Sequence, residues 1–336
     1  MKLLKNTLKY LLFLFFGLSI IWFIYKDVDK ENLLKGLRET NYFWIALSVI
    51  LGLVSHYVRA VRWNMLINSM GYKPKTYNTF FSVLFMYFIN MIIPRAGELA
   101  RCTILSRYEK IPVSKLIGTV IVERIADFIT MMGLAILVFA INIGVVHEFF
   151  TMHPEVGAKL AKLLSVPNIL LGIIALALII GAFVFLKPFK RGKIGAKFHK
   201  LKYEFQDGIK SILMLENRWW FIGQTLLIFF IWFLMLYVVF LAYPPTRHLT
   251  IWVGMFTFLM GGLAMLAPVQ GGIGPWHYMV MEALFLFGID KGSGKFFALI
   301  AHSSTSLVYL ILGSLAGLLM YLINRTHKQH VEVDIK

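Results

Sequence analysis

The sequence predicts an all-α, polytopic membrane protein with about six full transmembrane helices and two re-entrant hairpins built from broken helices. Three observations carry this. Of 336 residues, 59% are hydrophobic and the mean hydropathy is +0.73, above the roughly half expected of a soluble domain. The apolar residues gather into recurring stretches close to the about 20 residues that cross a bilayer. Two of those stretches run directly into proline and glycine, at Pro94-Arg95-Ala96-Gly97 and at Pro268 to Pro275.

Taken in order, the first stretch, Thr7–Tyr25, follows Lys2, Lys5 and Lys9. No small-residue cleavage site follows Trp22–Tyr25, so it is expected to remain as a span rather than leave as a signal peptide. Tyr42–Val58 is the second span. Tyr77–Ile93 meets the Pro94 break, and the next span begins about 20 residues later on the same side, so Tyr77–Arg107 is expected to form a hairpin entering from the cytoplasm. Leu116–Ile143 and Asn168–Leu186 are the next two spans. Lys187–Arg218 then carries nine basic residues, which the positive-inside rule places in the cytoplasm. Within it Phe198, Leu201, Phe205, Ile209, Ile212 and Leu213 recur at helical spacing, suiting a helix on anionic lipid, with an ordinary solvated linker helix as the alternative. Trp219–Tyr243 is a span, Ile251–Ala267 with Trp276–Phe287 forms the second hairpin from outside, and Phe296–Ile323 is the last span.

The formal charge of +17 does not indicate nucleic acid, because the basic residues lie between apolar spans. Loops assigned to the cytoplasm hold 24 of them and outer loops 9, with Arg124 inside a span. Both termini are thereby expected in the cytoplasm of a cell-membrane protein, with anionic lipids as partners. Residues 1–324 form one membrane domain and 325–336 a cytoplasmic tail. Each half, 1–146 and 168–324, repeats the order of two spans, a broken hairpin and a span. Three crossings per half is an odd number, so the halves are expected to be inverted repeats.

Ionisable groups at membrane depth cost at least about 2.5–3.5 kcal/mol each, so those present call for a partner or a use. The break from Asn90 through Pro94, Arg95, Gly97, Glu98 and Arg101 offers freed backbone amides and two guanidinium forks suited to phosphate. Glu98 is three residues from each arginine, so the three are expected on one helical face. Glu123, Arg124 and Asp127 sit inside an apolar span, with Glu123 and Asp127 four apart and Arg124 able to pair with Asp127. A closed salt-bridge network without a ligand is the plain structural alternative. In the second hairpin, Gln270, Gly271, Gly272, Gly274, His277 and Glu282 supply a close-approach backbone and titratable groups.

Other chemistries are excluded. Cys102 is the only cysteine, so no disulfide within the chain or cysteine metal cluster forms. His277 and Glu282 are five apart, which fits no zinc helix. Lys291-Gly292-Ser293-Gly294-Lys295-Phe296 lacks the upstream glycine and following Ser/Thr of a phosphate loop. Gly313 and Gly317 form a G-x-x-x-G packing pair. No cofactor is expected.

The motifs Asn90 to Arg101, Glu123-Arg124-Ile125-Ala126-Asp127 and Pro268 to Gly274, with Arg59-Ala60-Val61-Arg62-Trp63 and Gly71, together resemble the flippase-like membrane domain of lysylphosphatidylglycerol synthases. That resemblance implies translocation of an aminoacylated phospholipid or related polar lipid between leaflets. With the sequence ending at Lys336 and no soluble aminoacyl-transferase region in it, lysyl transfer is not expected. On this reading Arg95 and Arg101 grip a phosphate, and Glu98, Glu123 or Asp127 meets a cationic group or a coupling proton. The alternatives are an intramembrane enzyme or accessory subunit in lipid-headgroup modification, and a scaffold that recruits a separate synthase partner through residues 187–218.

Overall fold

The computed structural model describes residues 30–152, 154–163 and 203–333, with isolated positions in 19–26 and 165–174. The expected spans Thr7–Tyr25 and Asn168–Leu186, and the first part of the basic loop, lie outside the described residues. The described residues form helices: α1 (Lys30–Glu39), α2 (Tyr42–Ser69), α3 (Thr76–Ile92), α4 (Gly97–Glu109), α5 (Val113–Ile141), α6 (Ile143–Met152), α7 (Pro154–Leu163), α8 (Arg218–Ala242), α9 (Ile251–Ala264), α10 (Pro275–Leu286) and α11 (Lys291–Val333). Short 3-10 turns occupy Pro244–Thr246 and Gln270–Gly272.

Among the described residues four helices are long and apolar enough to cross a membrane: α2, α5, α8 and the Lys291–Asn324 part of α11. They coincide with four of the six expected spans. The chain is a multi-pass all-α membrane protein. Its outer surface agrees: Phe128, Ile136 and Trp219 are 60%, 73% and 82% exposed, a cost in water and none in lipid. Beyond Asn324 the helix continues through Val333, into the polar tail.

The broken stretches fold back on themselves. At about 1.5 Å per residue, the 17-residue α3 and 13-residue α4 reach only about 26 and 20 Å, short of a hydrocarbon core about 30 Å thick. Their far ends meet, because Glu109 accepts from the Lys75 amide (3.1 Å) and from Asn78 (2.6 Å). The turn between them is closed by Asn90, whose Oδ1 accepts the Gly97 amide at 2.8 Å. Gly97 is required there, since a Cβ would stand 2.2 Å from the Met86 carbonyl oxygen. Helices α9 and α10, 14 and 12 residues long, make the second hairpin. The two tips touch: Arg95 donates to the Leu266 carbonyl, and Met91 packs on Gly271.

Among the described residues, helices of the second half recur at a near-constant offset from those of the first. Helices α8, α9, α10 and α11 begin 176, 175, 178 and 178 residues after α2, α3, α4 and α5. Helices α2 and α8 pack along their whole length and run antiparallel: Asn41 meets Ala242, Ser48 meets Met235, Ser55 meets Trp232 and Arg62 meets Thr225. Contacts recur under exchange of halves. Helix α3 lies on α11 as α9 lies on α5, and α4 touches α5 as α10 touches α11. The antiparallel α2 and α8 have the relative direction that an inverted repeat requires.

The helical residues 203–210 dock on the end of α5. Gly208 and Gly118 face each other so closely that either Cβ would meet backbone atoms, and Lys115 pairs with Asp207 at 3.2 Å. Small residues also seat α11 on α3, where a Cβ on Gly313 would stand 2.6 Å from Phe88 Cβ and 2.8 Å from the Leu84 carbonyl oxygen. Gly313→Val should therefore lower stability by about 1–3 kcal/mol, as overpacking does, and reduce the thermal unfolding midpoint in detergent. Gly133→Ala, directed into open space, should not lower it.

Candidate functional site

The motifs converge on one charged cluster between α2, the first hairpin and α5. Asp127 is the middle residue of α5, so the cluster lies well away from either end of that span. Arg62 of α2 pairs with Glu123 (3.2 Å) and Asp127 (2.7 Å). Arg101 of α4 pairs with Glu123 (2.7 Å) and Glu98 (2.8 Å). Arg124 pairs with Glu98 (3.5 Å) and Asp127 (2.7 Å). The six side chains thus close a ring in which cation and anion alternate: Arg62, Glu123, Arg101, Glu98, Arg124, Asp127 and back to Arg62.

Arg59 is a seventh member, held to Asp127 at 3.3 Å. The ring is neutral, and Arg59 adds one positive charge. Three guanidiniums are backed by aromatic rings: Arg59 lies 4.8 Å from the Trp232 ring centre, Arg62 5.5 Å from Phe221, and Arg101 4.3 Å from Trp63. Cation–π contact is strongest where water is excluded, and Arg59, Arg62, Arg101 and Glu123 are buried. Thr225 of α8 accepts from Arg62 at 2.9 Å, bringing a fourth element to the cluster. One rim is open. Arg124 and Glu98 keep 41% and 30% of their side-chain surface, and Arg95 at the hairpin tip is exposed.

Several placements differ from the sequence expectation. Arg95 does not share a helical face with Glu98, because it precedes α4 in a left-handed conformation (φ 61°), a conformation that non-glycine residues adopt rarely. Its guanidinium reaches the second hairpin instead. Arg101 does not stand ready for a phosphate: it is buried and committed to two carboxylates. Pro94 lies in the turn. The Gly97 amide, freed by the break, is taken by Asn90.

The second hairpin contributes less. His277 is buried and its Nδ1 accepts the Gly274 amide at 3.4 Å, a helix-capping role in which Gly274 (φ 92°) supplies the turn. Gly271 (φ 55°) and Gly272 (φ 78°) also need positive φ, and Gln270 is buried in the same turn. The Gly271 carbonyl is 2.9 Å from His302 Nε2. Glu282 lies toward the hairpin base, 3.7 Å from Lys291. These groups do not join the ring; the hairpin reaches the first one through Leu266 and Gly271. Among the described residues no group of three or more His, Cys, Asp or Glu side chains is placed to hold a metal ion.

Arg59 and Arg62 are cluster residues that the sequence reading names only within the Arg59-Ala60-Val61-Arg62-Trp63 motif, counting both among the basic residues of the cytoplasmic side and not among the candidate charged groups. Helix α2 runs on through them to Ser69. The signal is present: two arginines three apart share a face, and the apolar spacing continues through Trp63, Leu66 and Ile67.

The match that settles the family covers nearly the whole chain: residues 8–313 correspond to the family described as the lysylphosphatidylglycerol synthase TM region. The chain belongs to that family. Among other similar proteins, a UPF0104 membrane protein of Methanocaldococcus jannaschii is 34% identical over 151 residues, covering 44% of this chain and 43% of that relative. A UPF0104 membrane protein of Pyrococcus horikoshii is 26% identical over 317 residues, 84% of this chain and 88% of the relative. The glycosyltransferase AglD of Haloferax volcanii is 24% identical over 109 residues, 32% of this chain and 18% of its own length. No solved structure matches.

The ring makes a graded stability prediction. Glu123→Gln leaves Arg62 and Arg101 buried without their shared counter-charge and should cost about 3–5 kcal/mol. Glu98→Gln, on the open rim, should cost clearly less. Thermal unfolding of the two variants in detergent checks the order.

Proposed function

We propose that this protein binds the polar headgroup of a phospholipid or lipid-linked substrate within the bilayer and moves it between leaflets. The observation that carries the reading is the charged ring with its surplus guanidinium and its open rim. A polar headgroup crossing hydrocarbon needs counter-charges waiting for it, because water cannot follow. Arg124 and Glu98 offer both signs at the rim, Arg95 adds a positive charge at the hairpin tip, and Arg59 leaves one cation in excess. An anionic oxygen can replace a carboxylate on Arg124 without creating an unpaired charge, since the displaced Glu98 or Asp127 keeps a second arginine.

The hairpins supply the means of access. Backbone that is neither fully spanning nor regular is tolerated in a membrane only where it is buried or lines a polar passage. Two short tips that meet through contacts such as Arg95 with Leu266 and Met91 with Gly271 can part more easily than two packed spans. Opposed repeats around a central polar site are the arrangement used for alternating access. The cell membrane, with both termini and the 187–218 segment in the cytoplasm, follows from the distribution of basic residues. Even with Arg59, Arg62, Arg95 and Arg101 set aside, 20 of them remain in the assigned cytoplasmic loops against 9 outside.

A second reading is an accessory membrane domain in headgroup or lipid-linked sugar chemistry, with the catalytic partner elsewhere. It is favoured by the partial likeness to a protein named as a glycosyltransferase and by the family's own name. Reconstitution separates the two. Purified protein in liposomes should accelerate the movement of fluorescent phosphatidylglycerol between leaflets, measured by dithionite protection, and leave the lipid chemically unchanged. Arg124→Gln should reduce the rate by about tenfold or more, equivalent to about 1.4 kcal/mol in the transition state, with thermal stability kept. No acceleration by the wild-type protein would refute translocation.

A further inference from the structure

His56 lies one helical turn before Arg59 on α2 and has no role in the ring. Its side chain is buried, at 1% exposure, and neither ring nitrogen has a hydrogen-bond partner among the described residues. Tyr87 of α3 and Tyr309 of α11 pack on it, with ring centres 4.3 and 5.4 Å away. It also lines a cavity of about 10 Å³ with Gly52, Met235, Thr305 and Tyr309, room for about one water molecule. A neutral imidazole has one donor and one acceptor, and buried polar groups almost always find partners. No described protein group occupies its nitrogens, so a water held in that cavity is the partner through which the buried ring can exchange a proton.

The charged and titratable groups facing His56 are few. Arg59 is on its own helix, Tyr87 comes from α3 and Tyr309 from α11, while α8 presents Met235 and, beyond Ser55, Trp232. Arg59 is the surplus cation of the cluster, tied to a single acid at 3.3 Å. A proton on His56 would stand close to that guanidinium, and the two positive charges would repel. With the ring closed and Arg59 balanced only by a shared Asp127, the proton is disfavoured. Burial of the charge is the larger obstacle and Arg59 the smaller; an anion drawn to Arg59 removes the repulsion and adds a counter-charge.

We propose that His56 is a proton-binding site coupled through Arg59 to the headgroup site, so that capture of an anionic headgroup takes up a proton. The coupling rests on the translocation reading; the proton site itself rests on the cavity and the unpartnered ring. Linkage is reciprocal: if the anion favours the proton, lower pH must favour the anion.

The test uses full-length protein in nanodiscs or detergent with short-chain phosphatidylglycerol. Its affinity should rise by about fivefold or more between about pH 8 and about pH 5, the range in which imidazole titrates. A dye in weak buffer should report proton uptake on binding. In His56→Gln both effects should vanish while binding persists at the high-pH level. If that variant is unstable, His56→Phe keeps the aromatic stack and serves instead. A pH response retained in the folded variants, or absent from wild-type protein that binds the lipid, overturns the proposal. If phosphatidylglycerol binds at neither pH, the headgroup reading fails and Trp232 decides the proton site. Its emission, taken as wild type minus Trp232→Phe, should shift with pH in wild type and not in His56→Gln. No such shift would refute the site.

Discussion

Hydrocarbon cannot solvate a charge, so an arginine carried into the membrane must find its counter-charge in the protein. The closed alternation of Arg62, Glu123, Arg101, Glu98, Arg124 and Asp127 answers that requirement, and much of the architecture follows from it. Each carboxylate touches at least two guanidiniums, so loss of one contact does not strand it. The three elements that supply the ring are thereby locked to one another: the latter part of α2, the short α4 and the centre of α5. Aromatic faces complete the desolvation, with Trp63, Trp232 and Phe221 covering guanidinium planes that would otherwise meet aliphatic side chains.

The hairpins depend on the same economy of polar groups. A helix of 13 residues cannot leave its first amides bare inside the membrane. Asn90 takes the Gly97 amide and Ala96 bonds back to Ile93, so the break at Pro94 is closed internally. The second break relies on backbone freedom instead, with three glycines at positive φ and His277 as the cap. Hence similar-looking Pro/Gly interruptions have different chemical content.

Length and apolarity made the long spans legible in the sequence, and proline next to glycine made the hairpins so. Glu98, Arg101, Glu123, Arg124 and Asp127 were legible as a cluster because acids inside an apolar run stand out against their surroundings. Arg59 and Arg62 were not, since counting basic residues assigns any arginine that follows an apolar stretch to a loop, although no residue there stops the helix. The side-chain direction of Arg95 depended on one backbone angle that spacing does not reveal. Glu282 shares a hairpin with His277 yet points to Lys291, because sequence proximity along α10 says nothing of which end of the hairpin a residue occupies.

The described helices of the two halves recur at matching spacing along the chain, but their side chains do not match. Helix α5 holds Glu123, Arg124 and Asp127, whereas its counterpart α11 offers His302, Ser306 and Tyr309. Two conformations that exchanged the roles of the halves would be close to equivalent in backbone geometry and far apart in electrostatics. Neutralising charge would therefore act unevenly on a fold of recurring helices, loosening the contact of α4 with α5 and leaving that of α10 with α11 in place.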